Sequence, residues 1–356
     1  MHTINFLRSF AQNLFQKIGC SIADAQTIAD VLIRAELRGI PSHGLLRIPD
    51  YIMLYETGRI NPVPQLNIVH ETPSTAVVDG DKAFGMIAAK RSMQIAIEKA
   101  AKVGTGWVST RNSNHFGIAG YYAMMALEHD MIGIVMTNAN PLVAPTFSIS
   151  KLLGTNPIAV AIPTGIQPPF VADFATTPIA RGKLEIFSKK GMEVPLGYVQ
   201  DKEGHPVTDP DILKKGGAML TLGGDYEHGS HKGYCLSSIV DIFSAVLSGA
   251  NFGPFVPPSV GYLPVLEKSP GLGTGHFFGA MRIDAFQPAA DFKNYMDHWI
   301  STFRNAKPSE NHEKVLIPGD PELELETINT EKEIELLPAV QKEIRLIAQK
   351  YNVTFS

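Results

Sequence analysis

Cysteine is nearly absent. Cys20 and Cys235 are the only two in 356 residues, which is no basis for a disulfide framework and fits a reducing compartment. There is no long basic run and the net charge is -4, so a nucleic-acid partner is not expected. Long apolar runs are missing too. The most apolar stretch, "IVDIFSAVLSG", is broken by Asp241 and two serines, so no membrane span or membrane partner is expected. The opening "MHTINFLRSFAQNLFQKIG" has no apolar core of the signal-peptide kind and reads as an amphipathic helix, which points to the cytoplasm. A glycine-rich phosphate loop is also missing. "GLGTGHFFG" offers Gly271, Gly273 and Gly275, but His276 stands where the pattern needs glycine, and a strand follows where a helix should. "VGTGWV" fails in the same way, and no Walker loop, internal repeat or low-complexity tract occurs.

What remains is ordinary globular composition, 44% hydrophobic and 19% charged, in a chain long enough for a large core and two or three subdomains. Phe6, Phe10, Leu14 and Ile18 repeat at helical spacing. Ser21 with Asp24 resembles a capping box for a second helix over about 22–39. Further on, "STAVVDG", "WVSTRNSN", "MIGIVMTN", "IAVAIP", "PFVADFA" and "GHFFGAMRIDAF" read as strands. "MIAAKRSMQIAIEKAAKVG", "GIAGYYAMMALEHD", "GYCLSSIVDIFSAVLSGA", "AADFKNYMDHWISTFRNA" and a segment from Pro338 read as helices, while residues 181–230 look loop-heavy. Helices at both ends suggest that the termini pack together, 1–65 with 286–356, around α/β segments at 66–130 and 131–285.

Three stretches carry chemistry. In "PSHGLLRIPDY", His43, Arg47 and Tyr51 fall four apart and share one face if the stretch is helical, with Ser42 placed to cap it. A helix start disfavours imidazolium and keeps His43 neutral. Arg47 offers a planar fork for a carboxylate. The plainer alternative is a surface helix with a solvated arginine. In "RNSNHFGIAGYY", His115 sits at a strand-to-helix junction, where catalytic groups often lie, although a core histidine is equally ordinary. In "PFVADFATTPIARGK", Asp173 interrupts an apolar strand and needs a partner; a histidine would relieve its burial and be oriented by it. His228 and His231 in "EHGSHKG" have no third ligand nearby, so an ordered loop is expected there and no metal.

Together, "SHGLLRIPDY", "NSNHFG", "LLGTNPIAVAIP", "ADFATT…ARGK", "HKGYCLSSIVDIF…SGA" and "GHFFGAM" resemble the malate/L-lactate dehydrogenase family that does not use the Rossmann fold. The likeness runs from the first helix to "IPGDPE" near residue 320. It implies an α/β fold in which a mixed, largely antiparallel sheet binds NAD or NADP, with a helical layer from both termini and a homodimer whose sites lie near the interface. It also implies that 131–285 is the cofactor-binding part of one intertwined catalytic unit. Residue by residue, it implies catalytic roles for Ser42, His43, Arg47, Tyr51, His115 and Asp173. The family's cofactor segment falls on Asp173, Phe174, Ala175 and Thr176, its Lys-Gly pair on Lys232 and Gly233, and its late Pro-Gly-acid segment on Pro318, Gly319 and Asp320; Asn138 and Lys183 complete the cofactor candidates. One departure stands out. Relatives often carry two glycines after Val-Ala-Pro-aromatic, and this chain has Thr146, Phe147 and Ser148.

The expected chemistry is oxidation of a small 2-hydroxy acid to the 2-oxo acid, malate first among the substrates. Arg47 anchors the carboxylate. His43, oriented by Asp173, is favoured as proton shuttle, with His115 polarising the carbonyl or holding the other end of the substrate. The alternatives are a ureidoglycolate or diketogulonate dehydrogenase, reduction of a cyclic imine acid, or a binding protein that keeps the scaffold.

Overall fold

A computed structural model describes residues 1–355. The chain opens with α1 (Ile4–Lys17) and α2 (Ile22–Leu37). The Ser21 hydroxyl accepts from the Asp24 N–H at 3.1 Å and donates to the Asp24 carboxylate at 2.7 Å, closing the expected N-terminal cap of α2. The row from His43 to Tyr51 is not one helix. Two single 3₁₀ turns, Pro41–His43 and Leu45–Arg47, break at Gly44, and α3 (Ile48–Glu56) begins only afterwards. Pro49 sits in its first turn, where a missing N–H costs nothing.

Then follow β1 (Asn67–Glu71), β2 (Thr75–Asp79), α4 (Gly85–Val103), β3 (Thr105–Ser113), α5 (Ala119–Met125), β4 (Met131–Thr137), β5 (Ile158–Ile162) and β6 (Phe170–Phe174). The stretch read as loop-heavy holds α6 (Arg181–Lys189) and short strands β7 (Val199–Gln200), β8 (Pro206–Val207) and β9 (Ala218–Met219). The chain closes with α7 (Ser230–Asp241), β10 (Thr274–Arg282), α8 (Ala289–Arg304), α9 (Asp320–Thr330) and α10 (Pro338–Tyr351).

Seven strands form one sheet in the order β1-β2-β3-β10-β4-β5-β6, and only β2 and β3 are parallel. That single parallel pair is bridged by α4, as a parallel connection requires. The mixed, mostly antiparallel sheet matches the expectation. α4 lies so close to β3 that a Cβ on Gly106 would stand 2.0 Å from the Ala96 carbonyl oxygen. The main core joins α1, α2 and α4 to the sheet and includes Val340, Ile344 and Ala348 of α10. A second, smaller core is built from Val143, Leu153, Ile179, Leu184, Val194, Val199, Ile212 and Met219.

α9 escaped sequence reading because "DPELELETINT" has no apolar stripe. Ion pairing holds it instead: Glu326 takes Arg38, the C-cap of α2, at 2.9 Å and also Arg34 within α2.

Candidate active site

His43 and His115 come together. Their rings stack with centroids 5.5 Å apart and planes 25° off parallel. His43 hangs from the first 3₁₀ turn, and its Nδ1 meets the Ser42 hydroxyl at 3.0 Å. His115 follows β3, and its Nδ1 meets the Tyr51 hydroxyl at 2.7 Å. Tyr51 is anchored in α3 and is 1% exposed, so it fixes the His115 ring from within the core. Arg47 Nε donates to the Ser42 carbonyl at 2.7 Å, and its Nη1 donates to Asp50 at 3.0 Å. Its Nη2 group has no protein partner among the described residues. The three residues that the spacing placed on one helix face thus converge through two turns and a helix start.

The expected pairing of His43 with Asp173 is not formed. The Asp173 carboxylate accepts from the Gly120 N–H at 2.7 Å, at the start of α5, and His43 has Ser42 instead. Ser42 likewise caps no helix; its hydroxyl serves His43. His43 is neutral as expected, but for another reason than the helix dipole. Burial, reinforced by Arg47, lowers it to about 4. His115 lies well below the ordinary histidine value through burial, then His43, Arg47 and His276. Burial drives Tyr51 strongly upward, so its hydroxyl keeps its proton. Burial lifts the Asp173 carboxyl to about 6, against the pull of the Gly120 N–H, although the residue keeps an open side.

Two of the cofactor-candidate segments meet. Asp173, Phe174, Pro318 and Gly319 line a cleft of about 480 Å³ together with Arg38 and Gly120. The Pro318 carbonyl accepts from the Val171 N–H at 3.1 Å, which joins the late segment to β6. The other candidates are placed differently. Ala175 leads out of β6 to Thr176, whose hydroxyl donates to the carbonyls of Thr155 and Asn156. Asn138 spends its amide on Asp241, Asn251 and the Gly275 N–H. Asp320 pairs with Arg304 and accepts from the Ile317 N–H. A Cβ on Gly233 would stand 2.3 Å from the Leu222 carbonyl oxygen, so that glycine serves helix packing. Lys183 on α6 and Lys232 on α7 are exposed cations. Phe147 adopts a left-handed φ of 65° and is 87% exposed.

Sequence reasoning missed four polar residues. His276 is fully buried in β10, bridging Thr137 and Ser113 at 2.7 Å each, with Phe116 stacked on it at 4.7 Å; it fixes the strand end that carries His115. Asp50 takes Arg47, and Arg181 acts on Asp50 from α6. α6 itself abuts the histidine segment, since a Cβ on Gly182 would lie 3.3 Å from that of Ser42. Glu36 is buried under the same segment. Its signal was available: it stands at the buried spacing of Ile28 and Leu32 on α2.

Solved structures that share this fold include dehydrogenases. The malate dehydrogenase of Entamoeba histolytica superposes with a TM-score of 0.93 at 36% identity, covering 100% of this chain and 99% of that one. The chain belongs to the malate/L-lactate dehydrogenase family, whose model matches residues 3–345. It is 44% identical over 315 residues to a protein of Pyrococcus abyssi named malate dehydrogenase, covering 88% of this chain and 84% of that one. It is 41% identical over 308 residues to a protein of Methanocaldococcus jannaschii named L-sulfolactate dehydrogenase, covering 86% and 85%. A Pseudomonas putida protein named delta(1)-pyrroline-2-carboxylate/delta(1)-piperideine-2-carboxylate reductase is 31% identical over 246 residues, 69% of this chain and 70% of its own. The protein is thus an oxidoreductase acting on a CH–OH group, of the hydroxy-acid dehydrogenase kind. No helix is long and apolar enough to cross a membrane among the described residues.

Proposed function

We propose that the chain is an NAD(P)-dependent dehydrogenase of small 2-hydroxy acids, with malate as the leading substrate and sulfolactate next. The observation that carries this reading is one half-buried guanidinium beside two stacked neutral histidines. The cleft beside Asp173 fits the cofactor. Its volume lies within the roughly 300–1,000 Å³ usual for ligand sites. Gly120 and Gly319 keep its floor open: a Cβ would stand 2.8 Å from the Asp173 carboxylate in one case and 3.1 Å from the Val171 main chain in the other. Asp173, Phe174, Pro318 and Gly319 would hold the cofactor there.

When bound, the nicotinamide supplies the hydride acceptor or donor. The protein supplies the rest. Arg47 holds the substrate carboxylate through its free Nη2 side. The Tyr51 hydroxyl, at 2.7 Å, and the Gly117 N–H, at 3.4 Å, both meet His115 Nδ1; in the tautomer whose Nδ1–H donates to the Tyr51 oxygen, Nε2 is the lone-pair nitrogen that takes the hydroxyl proton. In the reverse direction the imidazolium returns that proton to the oxygen. A carboxylate on Arg47 offsets the repulsion that this cation exerts on both rings, so substrate binding itself makes the imidazolium easier to form. His115, held by Tyr51, is therefore placed ahead of His43 as acid/base, because the carboxylate that would have oriented His43 lies elsewhere.

The base must be unprotonated for oxidation, and the free enzyme's histidines are held low. The kcat/KM for the hydroxy acid is therefore expected to show no histidine inflection between about pH 5 and 8, since burial holds His115 well below the ordinary histidine value. A bend near 6.5 that persists in Asp173→Asn and Glu36→Gln, whose carboxyls burial lifts to about 6 and about 7, would remove the burial argument. The substrate is tested with oxaloacetate, pyruvate, sulfopyruvate and a cyclic imine acid, each with NADH and NADPH, followed at the nicotinamide absorbance. The Pseudomonas putida relative keeps the cyclic imine acid in that panel.

We further propose a homodimer. The apolar faces of the terminal helices are consumed inside the main core. The exposed apolar face lies instead where α7 runs on into a π turn: Ile242, Phe243, Val246 and Leu247 are 40–58% exposed there. Light scattering at micromolar concentration should report twice the chain mass, and Val246→Asp should reduce it to the single chain. A wild-type monomer would rule the dimer out.

A further inference from the structure

We propose that Glu36 is a positioning residue of the active site: its buried carboxylate holds the turn that carries His43 and Arg47, and Gly44 is glycine because that carboxylate fills the space a side chain would need.

Glu36 ends the buried face of α2 and is 7% exposed. Its Oε1 accepts from the Leu45 N–H at 2.7 Å. That amide opens the second 3₁₀ turn. The Gly44 N–H is satisfied by the Pro41 carbonyl at 3.1 Å, and the Arg47 N–H by the Gly44 carbonyl at 3.0 Å. Glu36 supplies the acceptor for the buried Leu45 amide between them, so it acts as a cap delivered from another helix. A buried N–H left without an acceptor is costly, so without Glu36 the break between His43 and Arg47 would rearrange.

The glycine follows from the same contact. Gly44 has φ −94°, outside the left-handed region, so a positive φ is not what calls for glycine here. Space does. A Cβ there would stand 2.2 Å from Glu36 Oε1 and 2.7 Å from its carboxyl carbon. The carboxylate and the missing side chain form one fitted pair. Burial also lifts the Glu36 carboxyl to about 7, so a neutral amide of the same shape suits the pocket.

This inference rests on the reading of the His43–Arg47 segment as the substrate site, so Arg47→Ala is run beside it. Four further variants are compared with the hydroxy acid as substrate, and NADH binding is followed by fluorescence. Glu36→Gln keeps the acceptor and should stay within about 3-fold of wild type in kcat/KM. Glu36→Ala should lose about 10–100-fold with NADH binding unchanged, the cost of an unmet buried amide. Gly44→Ala should lose more than about 100-fold, the clash adding to the lost cap. Glu36→Ala/Gly44→Ala should recover to the level of Glu36→Ala alone, since the clash is gone. Losses that simply multiply in the double variant, or a Glu36→Gln as poor as Glu36→Ala, would overturn the proposal. If Gly44→Ala does not fold, a folded double variant supports it, and the Gln and Ala pair still decides. An unaffected Arg47→Ala would instead overturn the reading of the site.

Discussion

His115→Ala is expected to lower kcat by about 10²–10⁴-fold, the usual range for a lost general acid–base, while binding of the reduced nicotinamide cofactor, tested with NADH and NADPH, survives. The ring has one nitrogen on Tyr51, at 2.7 Å, and the other free, which is the arrangement a proton shuttle needs. Tyr51→Phe should lose part of the same factor, because the phenol sets which nitrogen carries the hydrogen. The double variant should be little worse than His115→Ala, since residues acting as a unit are non-additive. His43→Ala should act mainly on substrate KM. Single-turnover and steady-state rates of the four proteins decide it. The assignment fails if His43→Ala abolishes turnover while His115→Ala stays within a few-fold of wild type.

Arg47→Lys is expected to weaken use of the acid by about 2 kcal/mol, the scale of a charge-assisted hydrogen bond, or about 30-fold in kcat/KM. Lysine keeps the charge but loses two things the structure shows. It cannot hold the Ser42 carbonyl and Asp50 at once in the fixed geometry of a guanidinium, and it has no second N–H edge left for a carboxylate. Asp50, which burial already pushes upward, would lose its partner as well. Cofactor affinity, measured by NADH fluorescence without substrate, should not move. An unchanged kcat/KM would take Arg47 out of the site.

Strongly periodic elements were legible. α2, α4 and the alternating β4 are found where the residues call for them, because a single stripe or alternation dictates burial. The site residues were legible as identities through their motifs, but their partnerships were not. Tyr51 meets His115 across 64 positions of chain, and nothing local announces that contact. Asp173 looked like a carboxylate in need of a histidine. Folding supplied a cheaper partner, the free N–H of Gly120 at a helix start, which no side-chain inventory contains. The row of His43, Arg47 and Tyr51 was read as one helical face. Gly44 broke the helix, and the residues converged because Glu36 and the core hold the broken pieces. Asp297, similarly, serves three backbone amides at 165–167 that sequence alone leaves unassigned.

The small second core has a consequence for how such an enzyme changes its diet. Its eight buried residues span Val143 to Met219 and pack on one another rather than on the main core, which contains Tyr51. Leu184 belongs to it, and so the small core carries α6, whose Gly182 touches Ser42 and whose Arg181 acts on Asp50. α6 therefore rests on a separate foundation from the Tyr51–His115 pair, yet it abuts the segment that carries His43 and Arg47. Substitutions on the α6 face toward Ser42 and Asp50 are expected to act on that segment and to leave the Tyr51–His115 pair in place. Relatives named for malate and for sulfolactate, at comparable identity to this chain, are the outcome such a division of labour permits.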